Sequence, residues 1–124
     1  MPRNISFMLT TDQIRNQSKT VTRRKGWKFL KVGDILNACV QCQGLKPGEK
    51  IERLGTIQVV DVRQEPLAAM LVTDYGNNET KLEGFPHMTG KDFVGMFCDE
   101  MKSTLDQHIT RIEFSYINPQ GSNQ

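Results

Sequence analysis

Long apolar runs are missing from this sequence. No segment approaches the roughly 20 consecutive apolar residues that a membrane-spanning helix needs, and hydrophobic residues make up 37% of the 124 positions. That excludes a helical membrane protein and leaves material for one modest core, so a single domain over residues 1–117 is expected. The opening Met1-Pro2-Arg3-Asn4-Ile5-Ser6-Phe7-Met8 does not run from basic to apolar as a secretory signal does, which makes a cytoplasmic protein the expectation. Cysteine is scarce and odd in number. Cys39, Cys42 and Cys98 argue against a secreted disulfide framework and for reduced thiols. Nor is there a bulk charge of one sign: a net charge of +2 excludes polyelectrolyte binding by the whole surface. No Gly-x-Ser-x-Gly elbow, phosphate loop or His-Glu-x-x-His helix occurs. There is no repeat, linker or low-complexity tract, and the polar tail, residues 118–124, is expected to fray.

What the sequence does have is a local concentration of cations. Every charged residue from Arg15 to Lys31 is Lys or Arg, and the only tryptophan, Trp27, lies inside that run. Lys19-Thr20-Val21-Thr22-Arg23 alternates as a short strand, sending Lys19, Val21 and Arg23 to one side and Thr20 and Thr22 to the other. Such a strand can line a groove with both cations and hydroxyls. Lys19, Arg23, Arg24 and Lys25 suit phosphate, and Trp27 offers a stacking face.

The rest of the chain reads as a mixture of strands and short helices. Ile5–Met8 fits a first strand, followed by a short helix from Thr10-Thr11-Asp12 to about Gln17 that delivers Lys19 to the site. Lys31-Val32-Gly33-Asp34 is a turn into a strand over residues 35–43, with Leu36, Ala38, Val40 and Cys42 on one face. A Pro47-Gly48 hairpin loop leads to a strand from Leu54 to Arg63, expected to be buried on both sides. Pro66 starts one or two apolar turns, and Thr73–Thr80 is a polar connection around one further short helix. Thr89 and Asp92 form a capping box for the longest helix, whose Phe93, Met96 and Phe97 belong to the core. Residues 109–117 close the sheet, with Ile112, Phe114 and Tyr116 on one face.

Cys39-Val40-Gln41-Cys42 has the bare spacing of a metal knuckle. It falls in a strand, where residues three apart face opposite ways, and no second pair matches it, so no metal is expected and no cofactor is indicated. His87, just before a helix N-terminus whose partial charge disfavours imidazolium, is a candidate neutral base or ligand contact.

Lys19-Thr20-Val21-Thr22-Arg23, a dozen residues ahead of Leu30-Lys31-Val32-Gly33-Asp34, resembles the signature of the ASCH family. Glu83-Gly84-Phe85-Pro86-His87-Met88-Thr89 running into Asp92-Phe93-Val94 is similar to the helical excursion that bacterial and phage members carry before their last strand. The resemblance implies an α+β fold: a PUA-like small mixed β-barrel with short helices covering a cleft. It also implies RNA or a modified nucleoside as partner, bound by Lys19, Thr20, Arg23, Arg24, Lys25, Trp27 and His87.

One branch of that family, the bacterial acetylcytidine amidohydrolases, uses a Lys and a Thr of this strand with a downstream Glu. Matched onto this sequence, these are Lys19, Thr22 and Glu83. The match is shifted at the acid, because Pro86 rather than Glu precedes His87-Met88-Thr89. On a regular strand Lys19 and Thr22 face opposite ways, so a twist or bulge near Val21 is expected. A buried lysine beside a hydroxyl can take its proton, and a carboxylate can pass it to a leaving amine. The expectations are therefore a binding module for RNA or a nucleoside-like ligand, with deacylation of N4-acetylcytidine, RNA cleavage, or a non-catalytic interaction with a protein partner as alternatives. A monomer is expected.

Overall fold

The structure is a computed structural model that describes residues 2–117; the tail expected to fray lies outside the described residues. Five strands, β1 (Arg3–Ser6), β2 (Val21–Arg24), β3 (Ile35–Cys39), β4 (Arg53–Pro66) and β5 (His108–Ile117), form one sheet in the order β1-β3-β4-β5-β2. β1 runs parallel to β3, and the other neighbours are antiparallel. The sheet curls into about half a barrel. Three helices accompany it: α1 (Thr11–Arg15), α2 (Thr73–Leu82) and α3 (Gly90–Met101), with 3-10 turns at Met8–Thr10 and Leu67–Leu71. This is the α+β, PUA-like small mixed barrel with helices over a cleft.

Two apolar clusters hold these layers. Ile5, Phe7, Leu36, Ile57, Val59, Ile112 and Phe114 fill the concave side of the sheet. Leu67, Met70, Phe93, Val94, Phe97 and Ile109 join α3 to the 3-10 turn after β4 and to the start of β5. The helix α3 begins where the sequence says it should, because Thr89 Oγ1 accepts from Asp92 N while Asp92 Oδ2 accepts from Thr89 N, both at 3.1 Å. Phe93 and Phe97 are buried and Met96 half-buried.

Several boundaries differ from those read in the sequence. β3 ends at Cys39 rather than at residue 43, and the chain bends at Val40, so Cys42 lies outside the strand. β4 extends to Pro66, and its register with β5 shifts between Val59 and Asp61. Val60 sits at that bulge and is exposed, so β4 is not buried on both sides. Residues 73–80 form most of the ten-residue α2, the further short helix expected in that polar stretch, and it takes up the whole of the stretch rather than part of it. α2 is held by close packing rather than by an apolar stripe: a Cβ on Gly76 would lie 1.9 Å from Met70 O, so only glycine fits there.

Candidate functional site

Lys19 and Glu83 are brought together by backbone contacts at the entry to β2. Ser18 N and Lys19 N both donate to Gln13 O, at 3.0 and 3.3 Å, so the chain folds back over the end of α1. Thr20 N then donates to Leu82 O at 2.8 Å, and Thr20 O accepts from Phe114 N at 2.9 Å. The C-terminal end of α2 is thereby fastened to the start of β2. Glu83 is the residue that follows α2, and Gly84, at φ 97°, lets the chain leave past Gln13, where a Cβ would meet the Gln13 side chain at 2.8 Å.

The result is a buried ion cluster. Lys19 Nζ donates to Glu83 O and to Glu83 Oε1, both at 2.8 Å, and Arg23 Nη1 donates to Glu83 Oε2 at 2.9 Å. Burial pulls the Lys19 ammonium below the ordinary lysine range, and Glu83 opposes that shift without cancelling it. Burial also disfavours the Arg23 charge, but Glu83, Glu79 and Glu65 together overcome it and raise its pKa.

The sheet register explains why so many carboxylates are needed. Arg23 lies directly across from Arg111, and Arg111 across from Arg63. Like charges in facing positions repel. Glu79 of α2 is inserted between the first two: its Oε1 accepts from Arg23 Nη2 at 2.5 Å and from Arg111 Nε at 2.6 Å, and its Oε2 from Arg111 Nη2 at 3.2 Å. Glu65 Oε2 accepts from Arg23 Nε and Nη2 at 3.2 and 3.0 Å, and Tyr75 Oη donates to Glu65 Oε1 at 2.7 Å. Burial alone would raise the Glu79 pKa, but the bonds from Arg111 and Arg23 outweigh it and hold the carboxyl below the ordinary range.

A cavity of about 220 Å³ opens beside this cluster. Lys19, Thr22, Arg23, Arg24 and Glu83 line one side, and Phe7, Phe85, Phe93, Met96 and Phe97 line the rest, with the exposed Met8, Leu9 and Met101 at its mouth. Thr22 Oγ1 accepts from Arg24 Nε at 3.1 Å, and Arg24 Nη2 donates to Ser6 O at 2.6 Å, linking the two edge strands of the sheet. Lys19 precedes β2, whose pairing with β5 is regular from Val21 to Arg24, so no bulge at Val21 is required for Lys19 and Thr22 to reach one cavity.

The other sequence candidates fall elsewhere. Lys25 is exposed and donates to Met101 O at 3.1 Å, at the mouth. Thr20 is half-buried and occupied through its backbone. Trp27 packs against the concave cluster and beside Phe29, with ring centroids 5.5 Å apart; it does not line the cavity. His87 is exposed and also outside it. Among the described residues no three His, Cys, Asp or Glu are grouped to hold a metal. Buried Glu65, Glu79 and Arg111 and half-buried Tyr75 are the partners that sequence reasoning missed. One signal was present: Tyr75, Glu79 and Glu83 recur every four residues, the spacing of one helix face.

The fold and this site define a PUA-like domain with a charged, half-apolar cleft. The chain is similar to the structure of hypothetical protein PH0355, with a TM-score of 0.62 at 17% identity over 94% of this chain and 100% of that one. It is similar to EF3133 of Enterococcus faecalis V583, a DUF984 protein, with a TM-score of 0.65 at 11% identity over 94% and 76%. An ASCH domain from Lactobacillus crispatus JV V101 matches with a TM-score of 0.53 at 12% identity over 92% and 78%. The chain thus has the ASCH, PUA-like fold. No family model and no curated protein matches it.

Proposed function

We propose that the cavity binds a nucleoside-like ligand, with Lys19 and Glu83 reading the polar edge of a ring and the phenylalanines covering its faces. The observation that supports this is the joint lining: a Lys19–Glu83–Arg23 cluster on one wall and aromatic side chains on the others. The volume is below the roughly 300–1,000 Å³ of pockets for drug-sized ligands, which favours one ring system over a length of strand. Lys19 and Arg23 already have carboxylate partners, so they favour edge recognition over tracking a phosphate backbone. Calorimetric titration with cytidine, uridine and short single-stranded RNA tests this. Glu83→Gln, which keeps shape but removes the carboxylate charge, is expected to weaken nucleoside binding by about tenfold or more, since hydrogen bonds to charged groups contribute roughly 1.5–3 kcal/mol. Equal affinity of both proteins for every nucleoside would sink the reading.

A second reading, deacylation of N4-acetylcytidine, is favoured by one specific observation. The lysine whose pKa is lowered by burial shares a cavity with a threonine whose oxygen accepts from a guanidinium. In that reaction Thr22 Oγ attacks the acyl carbon and gives its proton to Lys19. The tetrahedral adduct then expels the amine, which is protonated through the Lys19–Glu83 pair, and water hydrolyses the acyl-threonine. Chromatography after incubation with acetylcytidine detects turnover, and Thr22→Ala is expected to abolish it.

A further inference from the structure

The cations that line the cavity are not equivalent. Lys19 and Arg23 are neutralised at hydrogen-bonding distance by Glu83, and Arg23 also by Glu65 and Glu79. Arg24 is not. Its contacts are with neutral oxygens, Thr22 Oγ1 and Ser6 O, and its guanidinium carbon lies 4.9 Å from the centre of the Phe7 ring. Among the described residues no carboxylate is within ion-pairing distance of it. Glu83 acts on it from farther away but has both oxygens engaged, and Glu100, exposed at the rim, forms no ion pair among the described residues. Lys25, next in the chain, is a second cation whose contact is the Met101 carbonyl, so it adds no counter-charge for Arg24.

Half-buried against an aromatic ring and neutral oxygens, the Arg24 guanidinium gives up hydration without gaining a counter-charge. Burial accordingly lowers the Arg24 pKa to about 10, while Glu83 and Cys42 work against the shift. It stays charged at neutral pH, with planar donors well suited to a carboxylate or phosphate.

We propose that Arg24 is the anion-binding pole of the cavity, taking the single anionic group of a small ligand whose flat apolar body lies among Phe7, Phe85, Phe93 and Phe97. This rests on the reading of the cavity as a ligand site and adds the class of ligand. A carboxylate and a phosphate share the chemistry, and matched probes separate them. Benzoate and benzamide have nearly the same body and differ in charge, as do cytidine 5′-monophosphate and cytidine.

The test is calorimetric titration of the wild type, Arg24→Gln and Arg24→Lys with all four probes at neutral pH, with circular dichroism to establish that each variant is folded. In the wild type at least one anionic probe is expected to bind tighter than its neutral partner by roughly tenfold to a hundredfold, the usual effect of charge-assisted hydrogen bonds. That ratio is expected to collapse to about twofold in Arg24→Gln, to be partly kept in Arg24→Lys, and to fall with salt in the wild type. If the neutral probes bind as tightly as the anionic ones, or the ratio survives in Arg24→Gln, the anion pole is overturned while the cavity remains a ligand site. If no probe binds, both readings fall together. Should Arg24→Gln not fold, the wild-type ratio and its salt dependence decide the matter.

Discussion

Glu79 has both of its oxygens engaged by arginines, and removing its charge while keeping its shape isolates one interaction. Glu79→Gln leaves Arg23 and Arg111 facing each other across β2 and β5 with no anion between them. Breaking one partner out of a buried charge network typically costs about 3–5 kcal/mol, so urea denaturation is expected to show a loss of that order. Glu65 and Glu83 still hold Arg23, which argues for the lower end of the range. A loss below about 1 kcal/mol would mean that the facing arginines are solvated or held apart, as exposed pairs are. Lys19 and Thr22, which line one cavity, were paired in the sequence by the family resemblance, since strand alternation alone sets them on opposite faces. Glu79 was not, since its role depends on the register of two strands far from it in sequence, and register is not written in either strand alone.

The elements were legible in proportion to how much of their pattern is apolar. β5 alternates and α3 has both its cap and its phenylalanine stripe, and both appear close to their expected bounds. α2 has a polar sequence, Thr73-Asp74-Tyr75-Gly76-Asn77-Asn78-Glu79-Thr80-Lys81-Leu82, whose helicity comes from packing and buried ion pairs rather than propensity. Its close approach to the Leu67–Leu71 turn and to α3 makes two glycine substitutions diverge. At Gly76 a methyl group would lie 1.9 Å from Met70 O and 3.1 Å from Gly90 Cα, backbone atoms that cannot rotate away. Gly76→Ala is therefore expected to destabilise the fold by about 1–3 kcal/mol or more, as overpacking does. Gly95, exposed within α3, has nothing within 4 Å of an added Cβ, so Gly95→Ala is expected to stabilise it by roughly 0.5–1 kcal/mol. Thermal unfolding of the two variants checks both signs. A neutral Gly76→Ala would mean that α2 can slide away from Met70.

For the molecule as a whole, the buried charges tie the helical cover to the sheet, because Glu79 and Glu83 come from α2 and its end while Arg23 and Arg111 come from β2 and β5. The stability of this attachment is therefore expected to depend on pH through Glu79. Its carboxyl is held below the ordinary value of 4.5 in the folded protein by Arg111 and Arg23, whose bonds outweigh the opposing effect of burial. As pH falls through that ordinary value the unfolded chain takes up the proton first, so the folded state loses relative stability with each step down. The contribution is fully present above the ordinary value, declines below it, and is gone once pH has passed below the folded value. Wild-type unfolding free energies measured across acid pH are expected to fall over that window. Carbon-detected NMR of the Glu79 carboxyl should show no titration until pH is below the ordinary glutamate range. A Glu79 midpoint at or above the ordinary value would mean that desolvation outweighs the arginines, and the cover would then be fastened to the sheet by packing at Met70, Phe93 and Phe97 rather than by charge.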